Sequence, residues 1–151
     1  MKSQDQFYRK KDYKSNIDKQ KIIDLKNQKR LIEIFDRYGY PNKKIIGGYN
    51  IDNDNVDITV MLLHTNDSIR REYFMPKVLE YIKHGEASPE LYANLHDQLL
   101  LYNGEDQYYG SYENKVDIPT NELNKRRRKI GMPNYGYQKW RLNTIYPDQE
   151  Y

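Results

Sequence analysis

Helical spacing closed by glycine constrains this chain more than any other feature. Leu31, Ile34, Phe35 and Tyr38 fall three and four residues apart, Gly39 follows at once, and Pro41 comes two residues later. The pattern recurs with Met75, Val78, Leu79 and Ile82 before Gly85, and with Leu91, Leu95, Leu99 and Tyr102 before Gly104. Apolar residues at that spacing share one face of an α-helix. A glycine just past the last of them readily takes the left-handed conformation that ends a helix. The expected fold is therefore mainly α, a single compact bundle of about five to six helices. An irregular Tyr-rich segment, 105–119, follows the fourth.

Boundaries follow from the same signals. The first helix is expected over about 19–38. Its buried face, extended backwards, meets Asn27 and then Asp24. Either Asp24 caps a helix that begins there, or both are inward-facing polar residues. Residues 42–53 read as a loop. The run 56–64 is apolar on nearly all sides, and its periodicity fits a strand or a helix. Asp67 or Ser68 should open a helix to about His84, kinked or restarted at Pro76. Ser88-Pro89-Glu90 is a helix start, with a cap residue followed by proline in the first turn. Thr120 should cap a short helix anchored by Leu123 and closed by Gly131. Trp140, among Tyr135, Tyr137 and Tyr146, is expected to pack a tail across the domain.

At 151 residues, without repeats or a Pro- or Gly/Ser-rich linker, the chain reads as one domain with loose ends at about 1–10 and 141–151. No stretch approaches a membrane span, and the first residues lack the apolar run of a signal peptide, so the expected location is cytoplasmic. The absence of cysteine excludes disulfides, thiolate metal sites and a cysteine nucleophile. Three scattered histidines argue against a transition-metal site, and no cofactor is implied. The stretch 52–57 has carboxylates but lacks the glycine and closing glutamate of a calcium loop. Net charge is +3, a mild excess. The one basic run, 125–129, reads first as the cationic last turn of a helix. No aromatics interleave it along the chain, so nucleic-acid binding through 125–129, which would show steep salt dependence, is the least favoured reading.

Several polar residues could carry chemistry. His64 ends the most apolar segment, and a buried imidazole is a natural general base, although a core histidine held by a backbone carbonyl is the plain alternative. His84 and His96 read as surface residues. Asp97 lies beside the leucine stripe and could orient His64 or act as the acid, or be a solvated helix carboxylate. Gln107, Tyr108 and Tyr109 precede the flexible Gly110 in a loop suited to contacting a ligand. Arg126 or Arg127 could clamp a carboxylate or phosphate. There is no phosphate loop, nucleophile elbow or zinc-protease motif.

The order of these residues is similar to that of a known family. Asp5-Gln6-x-x-Arg9, Asp24-x-x-Asn27-x-x-x-Leu31, Gly39-Tyr40-Pro41, Leu63-His64, Ala93-x-Leu95-x-Asp97-Gln98, Gln107-x-Tyr109-Gly110 and Arg126-Arg127 before Gly131-Met132 follow one another over about residues 4–135. The chain resembles the bacterial domain-of-unknown-function family numbered 6624. That resemblance implies a helical fold, makes 56–64 a helix rather than a strand, and groups His64, Asp97, Gln107 and Arg127 in a shared site. The chain departs from the family pattern at Tyr40, Leu63, Gln98 and Ser111-Tyr112.

Two functions fit. One is a metal-independent acid–base enzyme acting on a small polar or anionic molecule, with His64 and Asp97 catalytic. Asn27, Gln107, Tyr109, Arg126 and Arg127 would then bind the ligand. The other is a non-catalytic binding or protein-interaction module, in which the same groups form a buried network that fixes the packing.

Overall fold

The computed structural model describes residues 13–46, 58–112 and 116–145. Within them the protein is mainly helical and has no strand. The helices are α1 (Tyr13–Tyr38), α2 (Lys43–Ile46), α3 (Thr59–Leu63), α4 (Asp67–Ile69), a π-helical turn (Arg70–Phe74), α5 (Met75–Lys83), α6 (Pro89–Tyr102), α7 (Thr120–Lys129) and α8 (Tyr137–Ile145). The chain falls into two compact units, Met1–Leu91 and Tyr92–Tyr151. The expected loose end at 1–10, the motif at 5–9, the calcium-like stretch 52–57 and the last residues, 146–151, lie outside the described residues.

In the first unit α1 begins six residues before the sequence pattern implies, because nothing in 13–18 breaks a helix although no apolar stripe marks it. Asp24 is therefore no cap. Its carboxylate accepts a hydrogen bond from Gln20 Nε2 at 2.8 Å, within the helix. The inward face of α1 has two halves. Gln20, Asn27 and Gln28 are buried in the first, Leu31 and Phe35 in the second. Tyr38, expected on that face, is 56% exposed. Phe35 meets Phe74, Tyr40 and Tyr81 edge-on, with centroids 5.2, 6.0 and 6.3 Å away. Gly39 closes α1 at φ 75°, where an added Cβ would lie 2.9 Å from the Tyr81 hydroxyl oxygen.

The expected loop at 42–53 contains the single turn α2, whose Ile45 N–H donates to the Asn42 side chain at 3.2 Å. Within the run 56–64 the described part holds a helix, α3, as the resemblance implies. Asn66, one residue ahead of the expected start, caps α4 by accepting from the Ser68 N–H at 3.0 Å. Pro76 is accommodated without breaking the helical run, which stays right-handed over 67–83. A proline has no N–H and its ring clashes with the carbonyl four residues back. The chain answers with one wide π turn immediately before α5, placing Pro76 in the first turn of that helix.

In the second unit α6 is buried on two faces. Leu95 and Leu99 continue the leucine stripe that Leu91 begins, while Ala93 and Asp97 lie on the opposite side, both fully buried. Tyr102 departs from the expected stripe and is 67% exposed. Ser88 does open α6, its hydroxyl accepting from the Leu91 N–H at 3.2 Å. Thr120 does not cap α7. Pro119 holds that position, its carbonyl accepting from Glu122 and Leu123 at 3.0 Å each. Residues 141–145, expected to be loose, belong to α8, and Trp140 on that helix is 61% exposed rather than packed.

Candidate functional site

Four of the residues singled out by sequence meet in the second unit, around the turn 107–112. Asp97, projecting from α6, is fully buried. Its Oδ1 accepts from the N–H groups of Tyr108 at 2.9 Å and Tyr109 at 3.0 Å. Its Oδ2 accepts from the Ser111 N–H at 3.0 Å and the Ser111 hydroxyl at 2.9 Å. A carboxylate holding three backbone N–H groups is the reverse of a solvated helix carboxylate. Burial pushes its pKa up. The nearby His96 imidazole and the hydrogen bonds from the Ser111 and Tyr109 amides and the Ser111 hydroxyl outweigh that, leaving it below the ordinary aspartate value.

Arg127 completes the clamp from α7. Its Nη1 donates to the carbonyls of Tyr109 at 2.7 Å and Gly110 at 3.3 Å, and its Nε to that of Pro133 at 2.8 Å. The carboxylate thus collects the turn's N–H groups and the guanidinium its carbonyls, which is what burying an irregular backbone requires. Gln107, buried, closes the turn from within: its Oε1 accepts from the Tyr112 N–H at 2.7 Å and its Nε2 donates to the Tyr112 carbonyl at 3.4 Å. Gly110 sits at φ 62°, and a Cβ there would lie 3.0 Å from Val116 and 3.2 Å from Tyr135. Helix α7 explains why Arg127 and not its neighbours turns inward. It is buried beside Leu123, one turn earlier on the same face, whereas Arg128 is exposed.

Above this brace lies an aromatic group. Tyr109 is buried against Tyr92, His96 and Tyr108, at centroid distances of 6.1, 5.2 and 4.8 Å. Burial, then the neighbouring Tyr92, Tyr108 and Asp97, raise its phenol pKa well above the usual range. Tyr108 turns outward, and the Arg126 guanidinium stacks over it at 4.3 Å. Arg126 also keeps its Nε 3.6 Å from Glu122. His96 lies 5.4 Å from the Tyr108 ring, half-exposed, with its Nδ1 3.5 Å from Asp97 Oδ1. Sequence reading took His96 for a plain surface residue and gave Tyr92 no role. Their four-residue separation, one helical turn, is the signal that joins them.

The remaining predicted residues belong to the first unit. His64 is half-buried and follows α3 as its C-terminal cap, its own N–H donating to the Met61 carbonyl at 3.2 Å. Asn27 is buried on α1 and its Nδ2 has no hydrogen-bond partner; nor has the buried Oε1 of Gln20, two turns earlier. Gln28, by contrast, accepts from the Asn66 N–H at 2.7 Å. A second buried arginine, Arg70, donates through Nη2 to the carbonyls of Leu63 at 2.5 Å and Thr65 at 2.8 Å. Among the described residues no cluster of three or more His, Asp or Glu could hold a metal ion, and no helix is long and apolar enough to cross a membrane. No protein-family description, characterised protein or solved structure matches this chain.

Proposed function

We propose that the chain is a non-catalytic binding module of the cytosol, one in which buried polar groups hold a Tyr-rich turn so that it can present a fixed surface. The observation that carries this is the state of Asp97. A general acid or base must reach a substrate proton, and this carboxylate is fully buried with both oxygens spent on backbone N–H groups. Arg127 is likewise spent on carbonyls. What the brace holds outward is Tyr108, with His96 and Arg126 beside it. A half-exposed imidazole and a guanidinium around one ring suit a small anionic molecule. Membership of the bacterial family numbered 6624 is part of the proposal and rests on the residue order given above.

One observation favours an acid–base enzyme instead, the 3.5 Å approach of His96 Nδ1 to Asp97. That pair, rather than His64, would carry proton transfer.

NMR titration with inorganic phosphate, citrate and nucleoside monophosphates separates the two. The module predicts shifts at His96, Tyr108 and Arg126 and no new product signals, and it predicts that Asp97→Asn lowers thermal stability. Turnover of any compound, lost in an Asp97→Asn protein of unchanged stability, would favour the enzyme.

A further inference from the structure

Residues 120–145 carry seven basic side chains against one acidic, while the rest of the chain is net acidic. Read along the chain, the run 125–129 has no aromatic neighbours. Folding supplies them. Arg126 stacks on Tyr108 from the preceding turn, and Arg127 lies 5.8 Å from the centre of the Tyr135 ring. Residues 133–135 are pinned to α7 through Asn124, which accepts from the Tyr135 N–H at 2.7 Å, and through Arg127 and Arg128. The next turn carries Tyr137 and Trp140, their rings tilted by 33° with centres 5.5 Å apart and both exposed. Lys125, Arg128, Lys129 and Arg141 are exposed on the two helices.

From this juxtaposition we propose that the α7–α8 surface binds single-stranded nucleic acid, its exposed rings stacking on bases and its exposed cations pairing with phosphates. The inference rests on the module reading and names a macromolecular partner for it. The chemistry is that of a stacking platform in a cationic field, which tolerates any sequence because every base has a face to stack. Duplex does not offer that face, since its bases are already stacked. An anionic membrane surface fits less well. A helix lying in a bilayer interface keeps its apolar residues on one side, and on α8 Arg141 falls between Tyr137 and Ile145 around the helix.

Fluorescence anisotropy of the full chain with labelled fifteen-residue oligo-dT and oligo-U tests it. Binding is expected, weakening roughly fifty-fold between about 50 and 200 mM salt if four phosphates are paired. Trp140→Ala should weaken it about ten-fold at fixed salt. The triple variant Lys125→Gln, Arg128→Gln, Lys129→Gln should reduce the log–log salt slope from about −2.8 to about −0.7. Equal affinity for duplex, binding untouched by Trp140→Ala and Tyr137→Ala, or binding to phosphatidylglycerol vesicles but not to oligonucleotide would each overturn it. Those results leave the module reading standing provided small anions still shift His96 and Tyr108.

Discussion

Each unit buries an arginine against backbone carbonyls, yet they differ in how far their other buried side-chain amides and carboxylates find partners. In the second unit Asp97 and Arg127 divide the N–H and carbonyl groups of one turn between them, and Gln107 pairs with both backbone groups of Tyr112. In the first unit Arg70 caps the carbonyls of Leu63 and Thr65 at the end of α3, but Gln20 and Asn27 bury amide atoms on α1 that meet no partner; in the second, His96 Nδ1 is buried without a hydrogen bond, 3.5 Å from Asp97 Oδ1. A satisfied network specifies one conformation, whereas an orphaned polar atom costs stability and specifies nothing by itself. The second unit is therefore the more rigidly determined around its turn, and the first holds reserves of stability that simple substitutions could release.

The largest effect should come from Asp97→Ala. It leaves three N–H groups and the Ser111 hydroxyl facing an empty site, at a cost of about 4 kcal/mol, or roughly 10 °C in Tm. The same carboxylate makes the chain acid-sensitive in a defined direction. Its folded pKa lies below the unfolded one, so its contribution is complete above about pH 4 and is lost as pH falls through the folded value. Urea unfolding from pH 7 to 2 should show this loss in the wild type and not in Asp97→Asn. Next, Arg127→Met should cost about 3 kcal/mol by stripping three carbonyls of their donor. If it leaves the chemical shifts of Tyr109 and Gly110 in place, the clamp is not what holds the turn. Gly110→Ala adds a Cβ at positive φ against Val116 and Tyr135 and should cost about 2 kcal/mol by thermal unfolding. The smallest effect has the opposite sign. Asn27→Leu should raise stability by about 1 kcal/mol, because it removes an unpartnered buried amide. A loss instead would show that Asn27 has a partner, and would erase the contrast between the units.

Much of the fold was legible because glycine stops and three-and-four spacing are local signals. α5, α6 and α7 lie close to where Gly85, Gly104 and Gly131 imply. The N-terminal stretch of α1 was not legible, since its buried face there is polar and carries no stripe. The site was half legible. Asp97, Gln107, Tyr109 and Arg127 do come together, but proximity in the fold does not disclose what each one bonds to. A carboxylate opposite a leucine stripe looks alike in sequence whether it serves a substrate or the backbone of a turn. Tyr108 was legible as part of a ligand-contacting loop, but its grouping with His96 and Arg126 was not, because that group joins α6, the irregular turn and α7.

The most direct test of the brace is amide hydrogen exchange at Tyr108, Tyr109 and Ser111, in the wild type and in Asp97→Asn. Three N–H groups donating to a buried carboxylate should exchange slowly in the wild type, despite lying in no helix. They should exchange much faster in the variant, which should also melt at lower temperature. Rapid exchange at all three in the wild type, or protection and melting unchanged in Asp97→Asn, would contradict a structural Asp97 and return it to the list of groups free for chemistry.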